Sequence, residues 1–294
     1  MIHLSRGDWA LSVNPELGAA LTRLTWRGKD ILLPAADGTD DPLQTGCFPL
    51  LPYANRIARG AFAHGGRDIR VPATPGFEPH ALHGQGWKQP WRVVLADEGA
   101  VTLGLGMEAS GNWPWSWAAT HRVSLTPDGV VLELAMVNED RTSMPAGLGL
   151  HPYFRTDGSC VLTVPAGEVW LTDESGIPTA LVPARQLVDW SSGVFRADAV
   201  SVDHAYAGWS GVATLEHDDC TVTLTASPNA SRVQIYAPPD APFVCIEPVT
   251  HRPDAHNAPP GEATGLVSLA PGETLSMSMQ ITAGPGRRTM GSGR

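Results

Sequence analysis

Hydrophobic positions recur along this chain with a period of two. Trp9-Ala10-Leu11-Ser12-Val13 alternates, Asn14-Pro15-Glu16-Leu17-Gly18 turns, and residues 21–26 resume the pattern before a second turn at Arg27-Gly28-Lys29-Asp30. Alternation marks half-buried strands, and Gly, Pro and Asn clusters mark the turns between them, so this stretch reads as an antiparallel meander. From Trp91 the strands follow one another. The clearest are 101–105, 115–125 and 130–138, the last two joined by the hairpin turn Pro127-Asp128-Gly129. Residues 161–164, 169–172, 215–217, 220–226 and 232–236 continue the series, and 274–281 is the cleanest alternation of all. Trp190 and Phe195 are expected to anchor the turn-rich stretch 173–200.

No amphipathic helix, internal repeat or Gly-rich phosphate loop interrupts the run. The order of elements predicts an all-β fold, a large antiparallel β-sandwich rather than a βαβ arrangement. Length alone suggests about two domains, but a sandwich of 294 residues is often one. The expectation is a single domain over 1–283, with the Gly-, Ser- and Arg-rich segment 284–294 as a disordered tail. The 31 glycines and 26 prolines agree, since helix interiors tolerate neither.

The net charge of −10, with only Lys29 and Lys88 as lysines, argues against nucleic acid, whose phosphates need basic patches. No apolar run reaches membrane-spanning length, and residues 1–8 lack a basic region followed by a long apolar run, so no signal peptide is expected. Cys47, Cys160, Cys220 and Cys245 are far apart and form no CxxC pair, which suggests neither metal knuckle nor redox couple. A cytoplasmic protein, monomeric or homodimeric, is the expectation. Ten tryptophans point two ways, to core packing and to stacking on sugar rings.

Two stretches carry candidate chemistry. Residues 147–154, Gly-Leu-Gly-Leu-His-Pro-Tyr-Phe, read as one strand in which Gly147, Gly149 and His151 share a face. The two missing side chains are expected to leave room before the histidine. Phe243-Val-Cys-Ile-Glu-Pro248 repeats the design, an apolar strand ending in Glu247 before a proline. Burial raises the pKa of such a carboxylate, so histidine and glutamate suggest an acid–base pair. Each taken singly is more often structural. In 48–63 the polar pair Asn55-Arg56 interrupts an apolar loop, and Arg56 either pairs with a core carboxylate or holds ligand oxygens. His80 and His83 lie beside Gly84 and Gly86, glycines expected to let the backbone approach a ligand; as metal ligands the two histidines are weak candidates. Asp203 stands between apolar residues, where a turn cap is the plain alternative.

Pro52-Tyr-Ala-Asn-Arg-Ile57, Leu82-His-Gly84, His151-Pro-Tyr-Phe154, Asp203 with Tyr206, and Cys245-Ile-Glu-Pro248 resemble, in order and spacing, the motifs of the aldose 1-epimerases, or galactose mutarotases. The resemblance covers about residues 8–283 and implies a galactose mutarotase-like sandwich with a sugar cleft on one sheet. It implies Glu247 as general base, His151 as general acid, and Arg56, His83 and Asp203 as sugar-binding residues, Asn55 with them. No metal or organic cofactor is implied. Arg155, Leu51-Pro52 and Gly84-Gln-Gly-Trp87 depart from the pattern of well-known relatives, which leaves the preferred sugar open. Three other readings compete. One is epimerisation of a sugar phosphate, with Arg59, Arg92 or Arg252 receiving the phosphate. Another is glycoside hydrolysis by Asp203 and Glu247, which leaves His151 idle. The third is a carbohydrate-binding protein without turnover, which would not need both His151 and Glu247.

Overall fold

The computed structural model describes residues 1–196 and 200–287. Two antiparallel sheets carry the fold. The larger has nine strands, in the order Arg92–Ala96, Ala100–Met107, Trp117–Leu125, Gly129–Asn138, Thr274–Pro285, Cys220–Ala226, Val212–Glu216, Val161–Thr163 and Val194–Phe195. The smaller has eight. Seven run in the order Pro178–Pro183, Glu168–Thr172, Val202–Ala207, Arg232–Ala237, Phe243–Val249, Gly149–Leu150 and Pro49–Leu50, and Tyr153–Arg155 pairs with Phe243–Val249. A four-stranded meander, Ile2–Arg6, Trp9–Asn14, Ala20–Trp26 and Lys29–Asp30, precedes them. The expected all-β sandwich is the observed architecture, and it forms one domain.

Alternation decides what each strand gives to the core. Leu132, Leu134 and Met136 of one strand, and Met277, Met279 and Ile281 of its neighbour, turn inward from the large sheet. Val233 and Ile235, with Val244 and Ile246, meet them from the small sheet within the same apolar cluster. Each such side chain contributes roughly 1.5–3 kcal/mol when fully buried. The intervening Gln234 and Tyr236, and Phe243, Cys245 and Glu247, therefore project from the outer face of the small sheet. On that face a second, smaller apolar cluster joins Cys245, Val249 and Tyr153 to Ala20, Phe48, Leu50, Ala54 and Trp87.

Four expectations need correction. Residues 147–154 are not one strand: Gly149–Leu150 and Tyr153–Arg155 are separate, because Pro152 has no N–H to give the ladder. The glycines there leave no room before His151. A Cβ on Gly147 would lie 1.9 Å from Cδ2 of His251, and one on Gly149 would meet Val249, Leu50 and Ala54. Phe195 is half exposed, its ring under the Arg287 guanidinium rather than in the core, whereas Trp190 is buried. The last strand runs to Pro285, past the expected boundary at 283, where Thr221 pairs with Gly284. Residues 288–294 of the expected tail lie outside the described residues. All ten tryptophans are buried, which favours their core reading.

Candidate active site

Strand register brings the two ionisable residues together. Gly149 pairs with Val249 and Tyr153 pairs with Cys245, so the same register carried through the break sets His151 opposite Glu247. Nε2 of His151 lies 3.2 Å from Oε1 of Glu247. The residues are 6% and 3% exposed. Burial disfavours charge on both, pushing the glutamate pKa well up and the histidine pKa down. Asp203 pushes Glu247 further up, while the Arg56 guanidinium works the other way. Both shifts act against separate charges on the two residues.

Stacking orients the histidine. Phe48 and Tyr153 flank the His151 ring, each with its centroid 4.7 Å away and planes within 25° of parallel. Trp87 stacks on Phe48 in turn, at 5.5 Å. Among the described residues Nδ1 of His151 has no hydrogen-bond partner, so this aromatic column, with the backbone bond from His151 N–H to the Phe48 carbonyl at 3.0 Å, sets the ring's attitude.

The pair opens into a pocket of about 340 Å³, lined also by Asn55, Arg56, His83, Asp203, Gln234, Tyr236, Phe243, Phe77, Tyr153, Leu43 and Leu82. All six candidate residues thus meet in one cavity, a volume at the small end for ligand sites. Asp203 sits opposite Tyr236 in the sheet, and Gln234 sits opposite Glu247. Gln234 donates from Nε2 to Oδ1 of Asp203 at 2.6 Å, and Arg56 Nη2 lies 3.7 Å from Oδ2. Arg56 thus has a carboxylate partner, but a half-exposed one at the pocket rather than one in the core. The turn at Gly176 rests on the guanidinium, since a Cβ there would come within 2.8 Å of Cζ.

Asn55 and His83 both have positive φ, 58° and 60°, conformations that non-glycine residues rarely adopt. A reciprocal pair of bonds holds them: His83 N–H to the Asn55 carbonyl, and Asn55 N–H to His83 Nδ1, both 3.0 Å. Nδ1 therefore carries no proton, and the neutral ring keeps its proton on Nε2. Burial, with His151, Arg56 and Lys88 nearby, holds the His83 pKa well below its usual value. His80 is used similarly, accepting from Arg59 N–H, so the two histidines are fixed by backbone rather than assembled as metal ligands. Gly84 and Gly86 approach Leu51 and not the pocket: a Cβ on Gly84, at φ +67°, would lie 2.3 Å from the Leu51 carbonyl oxygen.

Sequence reasoning missed Gln234, Tyr236 and the stacking partner Phe48. The alternation of residues 232–236 could have exposed the first two, as polar positions between Val233 and Ile235. No local pattern marks Phe48.

The two-sheet sandwich is of the galactose mutarotase-like form. The aldose 1-epimerase family profile matches residues 1–282, and the chain belongs to that family. Among relatives, the Escherichia coli K12 protein YphB, whose function is uncharacterized, is 27% identical over 288 residues, 95% of this chain and 97% of its own. A solved structure of an Escherichia coli K12 protein provisionally named an aldose 1-epimerase superposes with a TM-score of 0.87. It is 25% identical and covers 96% of this chain and 98% of its own. The fold is shared too by a galactose mutarotase-like protein of Clostridium acetobutylicum, with a TM-score of 0.86, 18% identity, and coverage of 96% and 94%. Among the described residues no helix is long and apolar enough to cross a membrane.

Proposed function

We propose that the protein is a mutarotase that interconverts the α and β anomers of a free aldohexose, with Glu247 as general base and His151 as general acid. The observation that carries this reading is the contact between their side chains in a sugar-sized pocket. Glu247 takes the proton of the anomeric hydroxyl while the C1–ring-oxygen bond breaks, and His151 protonates the released ring oxygen. The open-chain aldehyde turns about its bond to C2. Closure on the other face returns each proton by the same route. The pair passes from carboxylate and imidazolium to carboxylic acid and imidazole, so its net charge stays zero throughout. That suits a site where an uncompensated charge is expensive. Each positioned acid or base contributes roughly 10²–10⁴-fold.

Arg56, Asp203, Asn55 and the Nε2–H of His83 supply hydrogen bonds to the ring oxygen and hydroxyls, and Gln234 holds Asp203. Phe77, Phe243 and Tyr236 offer apolar faces for the C–H side of the ring. A free sugar is favoured over a sugar phosphate because, among the described residues, Arg56 is the one arginine or lysine that lines the pocket, and two carboxylates accompany it. Arg252 is engaged by Glu262, and neither Arg59 nor Arg92 lines the pocket. The four cysteines, free and buried, support a reducing, cytoplasmic setting.

Polarimetry tests this directly. Freshly dissolved α-D-glucose and α-D-galactose are expected to reach their usual final rotation faster with the protein present. A folded sample that accelerates neither sugar would overturn the reading.

A further inference from the structure

We propose that His151, Cys245 and Glu247 form a binding site for a soft divalent cation of the zinc type, and that its occupation shuts down the acid–base pair. Cys245 and Glu247 alternate onto one face of Phe243–Val249, and register sets His151 opposite Glu247. One donor atom from each residue lies within 4.8 Å of the other two. The 3.2 Å between His151 Nε2 and Glu247 Oε1 matches the edge of a tetrahedron, about 3.3 Å for metal bonds near 2.0–2.1 Å. Imidazole, thiolate and carboxylate are a donor set that suits zinc and cobalt and is poor for magnesium. His151 and Glu247 line the pocket, and three protein donors leave a fourth position, the arrangement that admits a water or a sugar hydroxyl.

Charge adds a second argument. A divalent ion with one thiolate, one carboxylate and a neutral imidazole sums to zero, so the burial that penalises each charge alone tolerates the cluster. Binding releases the Cys245 thiol proton and the proton shared by the pair to solvent, so affinity rises with pH. The bound ion occupies the lone pairs that the base and the acid need. Cys245 has no step in the mutarotase reaction, so its removal leaves turnover in place.

The inhibitory half of this proposal rests on the mutarotase reading; the binding half does not. The test titrates Co²⁺ into the metal-free full-length protein and watches for a thiolate-to-cobalt charge-transfer band. One equivalent is expected to bind, Zn²⁺ to displace it and Mg²⁺ to leave it unchanged. Cys245→Ala is expected to lose the band, keep basal mutarotation and raise the inhibitory Zn²⁺ concentration. Loss of a mere outer-sphere partner costs 10–100-fold in metal affinity, so at least about tenfold is expected here. His151→Asn supplies a second variant, in which the cobalt band weakens. No band in the wild-type protein, or an unchanged band in Cys245→Ala, overturns the site. A cobalt band without Zn²⁺ inhibition of an active enzyme overturns the inhibition alone, and a band in a protein without mutarotation leaves the site standing while the mutarotase reading falls.

Discussion

Nε2 of His151 and Oε1 of Glu247 lie 3.2 Å apart because two short strand pairings, Gly149 with Val249 and Tyr153 with Cys245, share one register across Pro152. The proline breaks the ladder without shifting it. The proposed chemistry depends on that coincidence.

Glu247→Gln removes the base but keeps the shape. Turnover is expected to fall about 10²–10⁴-fold with a smaller change in KM, measured by polarimetry over a range of sugar concentrations. Stability is expected to move the other way. The native pKa of Glu247 is raised above the ordinary value of 4.5, so its contribution is fully present below that value and lost as pH rises toward the native pKa. The variant lacks this loss. Its melting temperature should exceed that of wild type at neutral pH, with the gap closing toward pH 4.5.

The pH dependence of kcat/KM should be a bell. Catalysis needs one labile proton on the pair. A second proton, added as pH falls, leaves no base, and loss of the first, as pH rises, leaves no acid. The two limbs report apparent pKa values of the pair, not of either residue. In Glu247→Gln the residual activity should lose the bell, and a bell that persists unchanged would remove Glu247 from the pair.

Phe48→Leu and Tyr153→Leu each take one plate from the stack around His151. Both are expected to lower kcat about 10- to 10²-fold with KM nearly unchanged, as for a slightly misplaced catalytic group. Tyr153→Phe keeps the plate and should restore most of the rate. Equal losses in the Leu and Phe variants would show that the phenol and not the stack matters.

Asp203→Ala leaves Gln234 and Arg56 without their shared acceptor. Because hydrogen bonds to a charged group contribute about 1.5–3 kcal/mol, KM is expected to rise roughly 10- to 100-fold. A fall in kcat at unchanged KM would instead assign Asp203 a part in proton transfer.

Gly147→Ala places a methyl 1.9 Å from a His251 ring pinned at both ends, by Ala54 N–H on Nε2 and by the Arg252 carbonyl on Nδ1–H. Overpacking of this kind costs about 1–3 kcal/mol. A lowered melting temperature is expected. An unchanged one would mean that His251 can move aside.

Much of this was legible in the residues. Alternation located most strands of the large sheet, because side-chain period is a local property of a half-buried sheet. In the small sheet it missed Pro178–Pro183, which falls in the stretch expected to be turn-rich, and Val202–Ala207. The polar candidates at 55, 56, 83, 151, 203 and 247 all reached one cavity, because each stood out against apolar neighbours. What escaped was non-local. The glycines at 147, 149, 84 and 86 looked like clearance for a ligand, yet they make way for His251, Val249 and Leu51. Which atoms fill a gap depends on a strand or loop far away in sequence. The stacking of Phe48 on His151 joins residues about a hundred positions apart, and no periodicity encodes it. Gln234 was hidden for the same reason, since its importance comes from Asp203 and Glu247 on the two neighbouring strands.

The strand Thr274–Pro285 lies in the middle of the nine-stranded sheet, between Gly129–Asn138 and Cys220–Ala226. It follows both neighbours in chain order by about fifty residues or more. During synthesis from the N-terminus, the two halves of this sheet each wait with an open edge, which is a template for wrong pairing. The large sheet becomes continuous only when its central strand leaves the ribosome. A chain interrupted before residue 274 therefore loses not a trailing appendage but the seam of the molecule.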